Sequence, residues 1–360
     1  MPISDNPRDY TWGKRKKNVY LWIGGGALVV IALVVAGYFF FQSATPSVSN
    51  TTTTNVNTAV SGTRRVLDGV KVDSEITNLY PWGIMVENLA TTRPQAGFEK
   101  AGVVYEALAE GGITRFLLLM ATEKDTGDIG PVRSARPYFV EWAREYDAMY
   151  VHVGGSSQGL ETIAELEVKD FNQFYNGGSF FYKEGKEAPH HMFTNSRLLT
   201  FGARDLELPA NGQFPAWKFK DDAPLNERPS EEKKITIDFS TFSYEVEFLY
   251  DRESNTYKRS QGGAVFTDAA ADNKQVAPKN VVIQFVSITN YDVQRLNIET
   301  VGSGKAIVFR DGQALEGTWQ KESKTARTRF YDSTGDEIEL NAGQTWVEVI
   351  EKDRQNYSYN

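Results

Sequence analysis

Three arginines in this chain are spaced to hold an anion. The stretch GPVRSARPYF (Gly130–Phe139) puts Arg133 and Arg136 in a short loop ahead of an expected helix. Pro137 falls in that helix's first turn, where a fixed φ costs no useful donor. Arg115 opens RFLLLMA (Arg115–Ala121), a run that reads as a buried strand. A second expected strand, AMYVHVGG, ends at Gly154 and Gly155, and Ser156 leads into a second helix, SSQGLETIAEL. Helix N-termini offer free N–H groups and a positive dipole end, and guanidinium forks match phosphate or carboxylate. Arg115, Arg133, Arg136, Gly154, Gly155 and Ser156 are therefore a candidate anion site, with His190 at its rim. The competing reading is structural: Glu106, Glu110 and Glu141 are available to pair with the arginines.

Other residues suit acid–base work. The three histidines are His152, His190 and His191, and imidazole titrates in the neutral range. Glu87, Glu106 and Glu110 supply carboxylates, even for glycoside hydrolysis, although sequence spacing does not fix carboxyl separation. His152 lies on an expected strand and equally suits a core position. No catalytic residue is assigned and no metal site is expected, since adjacent histidines rarely face one metal. Ser156 and Ser157 follow two glycines without the Gly-x-Ser-x-Gly pattern, so capping or anion holding is the expected role.

The elements that would position these groups read as follows. Residues 1–18 form a basic tail and Val19–Phe41 an apolar run of about 23 residues, long enough to cross a bilayer. Lys14, Arg15, Lys16 and Lys17 precede it, which places the N-terminus in the cytoplasm and the rest outside. The run exceeds a signal-peptide core and lacks a good cleavage context, so an uncleaved single-pass anchor is expected. Residues 42–76 are rich in Ser, Thr and Asn at their start and read as a stalk. Residues 77–217 alternate strands and helices, an α/β pattern with a mixed sheet. Residues 218–234 read as a linker with Pro224, Pro229 and a charged run. Residues 235–352 are rich in β-branched and aromatic runs, expected to form a mostly antiparallel β-rich domain. Arg310-Asp311-Gly312 and Ser333–Asp336 are its turn signals.

Charge and composition exclude several classes. The chain carries −8 overall, and the portion up to Phe41 has five basic and two acidic groups, which leaves the remainder at −11. That excludes a basic nucleic-acid-binding face over the outer portion. With no cysteine, disulfides, thiolate catalysis and Cys-ligated metals are absent.

Several segments together resemble the YerB-like family, bacterial extracytoplasmic proteins with a conserved domain of unknown function. They are PWGIMVEN, RPQAGFEKAGVVYEALAEGGITRF, IGPVRSARPYFVEWAREYDA, HVGGSSQ and EAPHHMFTN, then KNVVIQF, GSGKAIVFRDGQALEGTW and GQTWVEV, collinear from about Thr77 to Ile350. The resemblance implies a two-part layout and an extracytoplasmic setting. Many family members are lipoproteins, whereas this chain has an apolar segment and no cysteine. The family's APHN stretch reads Ala188-Pro189-His190-His191 here, a departure at position 191. The order of arginines, strands and glycines also resembles the LytR–CpsA–Psr phosphotransferases, which move glycopolymers from a polyprenyl pyrophosphate carrier to the cell wall. That likeness implies Arg115, Arg133 and Arg136 on the pyrophosphate. The acidic residue that family carries beside its first arginine is missing from Gly112-Ile113-Thr114-Arg115.

The expected function is binding of an anionic envelope component, a phosphorylated glycan or polyprenyl carrier. The alternatives are a glycopolymer phosphotransferase, which alone would call for magnesium, and a scaffold that docks a protein partner through its β-rich part. No other cofactor is expected.

Overall fold

The computed structural model describes residues 62–122, 124–354 and 356–360. The basic tail, the expected membrane helix and most of the stalk lie outside these residues. Among the described residues no helix is long and apolar enough to cross a membrane. Residues 62–76, counted with the stalk in the sequence reading, are packed: Thr63–Arg64 pairs with Lys71–Val72, and Leu67 is buried. One apolar residue at the right place anchors a segment whose composition otherwise suggests a tether.

A ten-stranded mixed sheet organises the molecule. In chain order its strands are β1 (Trp82–Glu87), β2 (Val103–Leu108), β3 (Thr114–Met120), β4 (Met149–His152) and β5 (Lys169–Asn172) from the first part. Between these and the sheet's remaining strands the chain makes β6 (Lys234–Asp238), β7 (Glu245–Asp251), β8 (Thr256–Gln261) and β9 (Ala264–Val265). The large sheet resumes with β10 (Asn280–Val286), β11 (Gly302–Arg310), β12 (Gln313–Lys321), β13 (Arg329–Asp332) and β14 (Thr345–Glu351), and β15 (Tyr357–Tyr359) closes the chain. The large sheet runs β13-β12-β11-β10-β14-β2-β3-β1-β4-β5 and the smaller, antiparallel one runs β9-β8-β7-β6-β15. β14 lies parallel to both β10 and β2. Strands from residues 77–217 and from 235–352 thus share one continuous sheet.

The strand sequences fit this burial. β3 (TRFLLLM) and β10 (NVVIQFV) are buried at every position, as expected for strands covered on both faces. One face carries Ile84, Val104, Phe116 and Ile283 against Val246, Phe248 and Phe266 from the smaller sheet and its flank. The other carries Met85, Tyr105, Leu117 and Val282 against the helix α1 (Pro137–Arg144), whose Tyr138, Phe139 and Trp142 are buried. α2 (Ser157–Glu165) follows β4, and α3 (Ser196–Asp205) follows the short strand Met192–Asn195. Within the segment AGVVYEAL, Val103–Leu108 forms β2. The Asp311-Gly312 turn joins β11 to β12 as a two-residue loop with both φ positive, at 53° and 72°, the geometry that matches strand twist.

Three buried polar knots tie the parts together. Glu106 of β2 takes Arg259 of β8 at 2.6 Å, and Arg259 lies 4.0 Å from the Phe266 ring and 4.7 Å from that of Trp346. Glu145 takes Lys321 at 2.8 Å and Arg327 at 3.1 Å, with Arg327 held between Tyr146 and Trp217. Asp311 accepts from Lys220 at 2.7 Å, from Asn255 at 2.8 Å and from Asn341 at 2.7 Å. The last knot fastens the 218–234 segment, whose Phe219–Lys220 also pairs with Leu340–Asn341.

Candidate functional site

β1, β2 and β4 point the same way, so their carboxyl ends share one edge of the sheet. Glu87 ends β1, Glu110 follows β2, and the glycine loop follows β4. Arg115 reaches the same edge because β3 runs opposite and Arg115 stands across from Glu87 in register. The arginine loop lies alongside: Arg133 N–H donates to Met85 O at 2.9 Å and Ala135 N–H to Gly154 O at 2.9 Å. Ligands favour such ends in open α/β sheets.

Two glycines make this closeness possible. Gly154 has φ +58°, and a Cβ there would lie 2.8 Å from the Phe174 ring. A Cβ at Gly159 would meet Ala135 O at 2.9 Å, so α2 packs directly on the arginine loop. Ser156 caps that helix, its Oγ accepting from Gly159 N–H at 3.1 Å.

The three arginines stand along this edge, and each has a carboxylate. Arg115 Nη2 lies 3.1 Å from Glu110, and Arg136 Nε contacts the same carboxylate. Arg133 Nε lies 3.2 Å from Glu87. Glu106 and Glu141 do not serve them: Glu106 holds Arg259, and Glu141 faces Lys324 and Thr300. Three guanidiniums therefore share two carboxylates. Burial, then repulsion from Arg136, hold the Arg115 guanidinium down at about 10, against the pull of Glu110. The same two guanidiniums favour Glu110 as an anion: burial raises its carboxyl, but Arg136 and Arg115 win and hold it below the usual range.

The histidines differ. His190 Nδ1 meets both oxygens of Glu87, at 2.9 and 2.7 Å. His152 is fully buried with both ring nitrogens engaged, Nδ1 with Gly154 O and Nε2 with Asp170, each at 2.7 Å. His191 packs edge-on against Tyr182. Among the described residues no group of three or more histidines and carboxylates is arranged to hold a metal ion.

Beside Arg136 opens a cleft of about 340 Å3, lined by Ser156, Gln158, Tyr291, Arg295 and Lys324 among others. Its far wall is the hairpin Ile288–Asn290/Leu296–Ile298. Arg295 stacks over Tyr291 and donates to Gln158 at 2.6 Å, which ties the hairpin to α2. Sequence reasoning missed this wall: the hairpin comes from the second part of the chain, and only the sheet's continuity brings it here. It also missed Glu348, for which the signal was a lone carboxylate inside the apolar run TWVEVI.

The fold and sequence define a family. Residues 67–208 match the protein of unknown function (DUF3048) N-terminal domain, and residues 235–347 match the C-terminal domain of the same family. The chain belongs to the DUF3048 family. It is 30% identical over 294 residues to the Bacillus subtilis (strain 168) protein named "Putative lipoprotein YerB", covering 79% of this chain and 85% of that protein. The crystal structure of YerB protein from Bacillus subtilis superposes with a TM-score of 0.74 at 27% identity, over 82% of this chain and 99% of that one. The YerB-like resemblance is thereby established.

Proposed function

We propose that this protein is anchored to a membrane, faces away from the cytoplasm, and binds an anionic group of a cell-envelope component at Arg115, Arg133 and Arg136. The single observation that carries the binding is the surplus of guanidinium: three of these groups share Glu87 and Glu110. An incoming phosphate would neutralise the surplus and use donors already aimed at one sheet edge. Gly154, Gly155 and Ser156 border the site, and the cleft beside Arg136 gives a glycan or lipid carrier room to lie. The anchoring rests on the apolar segment Val19–Phe41 with its preceding basic cluster, and on a relative named as a lipoprotein.

The test is calorimetric titration of the full chain in detergent micelles with inorganic pyrophosphate and with a short-chain polyprenyl pyrophosphate. Saturable binding should fall at least tenfold in Arg133→Ala/Arg136→Ala when circular dichroism and melting match the parent. Undiminished binding in that folded variant, or none in the parent, sinks the reading. Docking of a protein through the β-rich part is supported by a different observation: Phe242 and Val265, 67% and 59% exposed, line an open cleft at the free β9 edge. Co-purification of a partner lost in Phe242→Asp would favour it.

A further inference from the structure

We infer that Glu87, His190 and Arg133 form an acid–base site that hydrolyses a phosphoric ester or anhydride. This rests on the anion-binding reading and adds a reaction to it.

The carboxylate of Glu87 is almost wholly withdrawn from solvent and holds two cationic or donor groups at once. One is His190 Nδ1, at 2.7 and 2.9 Å from its two oxygens; the other is Arg133 Nε, 3.2 Å away in an ion pair without a hydrogen bond. A carboxylate only accepts, so the bond places a proton on Nδ1 and leaves the neutral ring's lone pair on Nε2. Among the described residues Nε2 has no hydrogen-bond partner, and it is not among the buried unpaired atoms, so it reaches solvent. Arg133 spends Nη1 on Pro189 O at 2.9 Å, the carbonyl next to His190, and its Nη2 has no partner among the described residues. Glu87 thus orients a free base, while Pro189 O holds the guanidinium that carries a free donor. His152 is the contrast within the same molecule: a buried structural histidine with both nitrogens occupied.

The chemistry follows from those two free atoms. A phosphoryl oxygen sits on Arg133 Nη2, and a water donates a hydrogen bond to His190 Nε2. The water oxygen forms a bond to phosphorus as its proton passes to Nε2. The bond from phosphorus to the leaving oxygen breaks, and the imidazolium returns that proton to the leaving oxygen. Atoms and charge balance with water as the only co-reactant. Glu87 is a positioning residue that fixes the tautomer and offsets the imidazolium charge.

The experiment assays the full chain in detergent, with a metal chelator, on p-nitrophenyl phosphate, bis(p-nitrophenyl) phosphate and inorganic pyrophosphate. Turnover of at least one probe is expected. His190→Gln should lower kcat/KM by about 100-fold or more, with melting unchanged. Glu87→Gln should lower kcat more than it raises KM, and His191→Gln should leave the rate intact. Pyrophosphate binding without turnover of any probe, or full turnover in His190→Gln, overturns the inference and leaves the binding reading standing. Neither binding nor turnover removes both.

Discussion

Glu106 and Glu348 stand opposite each other on the parallel strands β2 and β14, both fully buried. Glu106 is served by Arg259 and by Asn88. Among the described residues neither oxygen of Glu348 meets a donor. Burial, reinforced by the negative charge of Glu106, pushes the Glu348 carboxyl well above its ordinary 4.5. The pair is satisfied when Glu348 keeps its proton and offers it to Glu106.

That relationship fixes a sign. Above the unfolded value the folded chain holds a proton that the unfolded chain has lost, so stability falls as pH rises from about 4.5 toward the folded value. The slope is about 1.4 kcal/mol per pH unit for one proton. Glu348→Gln keeps the shape and the donor but removes the titration. Chemical denaturation at pH 5 and pH 8 should show the variant gaining on the parent as pH rises. Parallel profiles would contradict the protonated pair.

Asp311 gives the opposite dependence. Burial alone would raise its carboxyl, but hydrogen bonds from Lys220, Asn255, Asn341 and the Ala223 N–H hold it down at about 2, against 3.8. Its contribution is present above the unfolded value and is lost as pH falls through about 2. Asp311→Asn should cost about 2 kcal/mol at pH 7, with the difference narrowing below pH 4. A loss that stays constant on acidification would point to packing instead.

Among the described residues Glu145 is the carboxylate that Lys321 and Arg327 share, all three buried. Glu145→Gln leaves two cations uncompensated and should destabilise by about 3–5 kcal/mol. Adding Lys321→Met should recover part of that loss. Urea denaturation measures both, and a single-variant cost below about 1 kcal/mol would mean that the cations relax to solvent.

Local structure was legible where one residue type dictates geometry. Asp311-Gly312 had to be a turn because its backbone needs positive φ, and FLLLMA (Phe116–Ala121) had to be buried because neither of its faces is polar. The arginine loop was legible because Pro137 marks the start of α1 and Arg133 and Arg136 precede it. Their partners were not: Glu110 was one of several carboxylates within reach in sequence, and choosing it over Glu106 and Glu141 needs the register of β2, β3 and β1. The sharing of one sheet by both parts was also hidden, since strand pairing between β14 and β2 leaves no periodic mark in either strand. Sequence puts His152 on a strand and His190 at the rim of the arginine loop, but which ring nitrogen of each finds a partner is visible only in the fold.

β14 fills the gap between β2 and β10, yet it follows both of them, and β11 to β13, along the chain. Until it arrives, β2 presents an unpaired edge. Contacts so distant along the chain slow folding, because the loop must close before the pairing is rewarded. The first half therefore waits as an open template, and truncation anywhere before Thr345 should yield a sticky fragment rather than a smaller working domain.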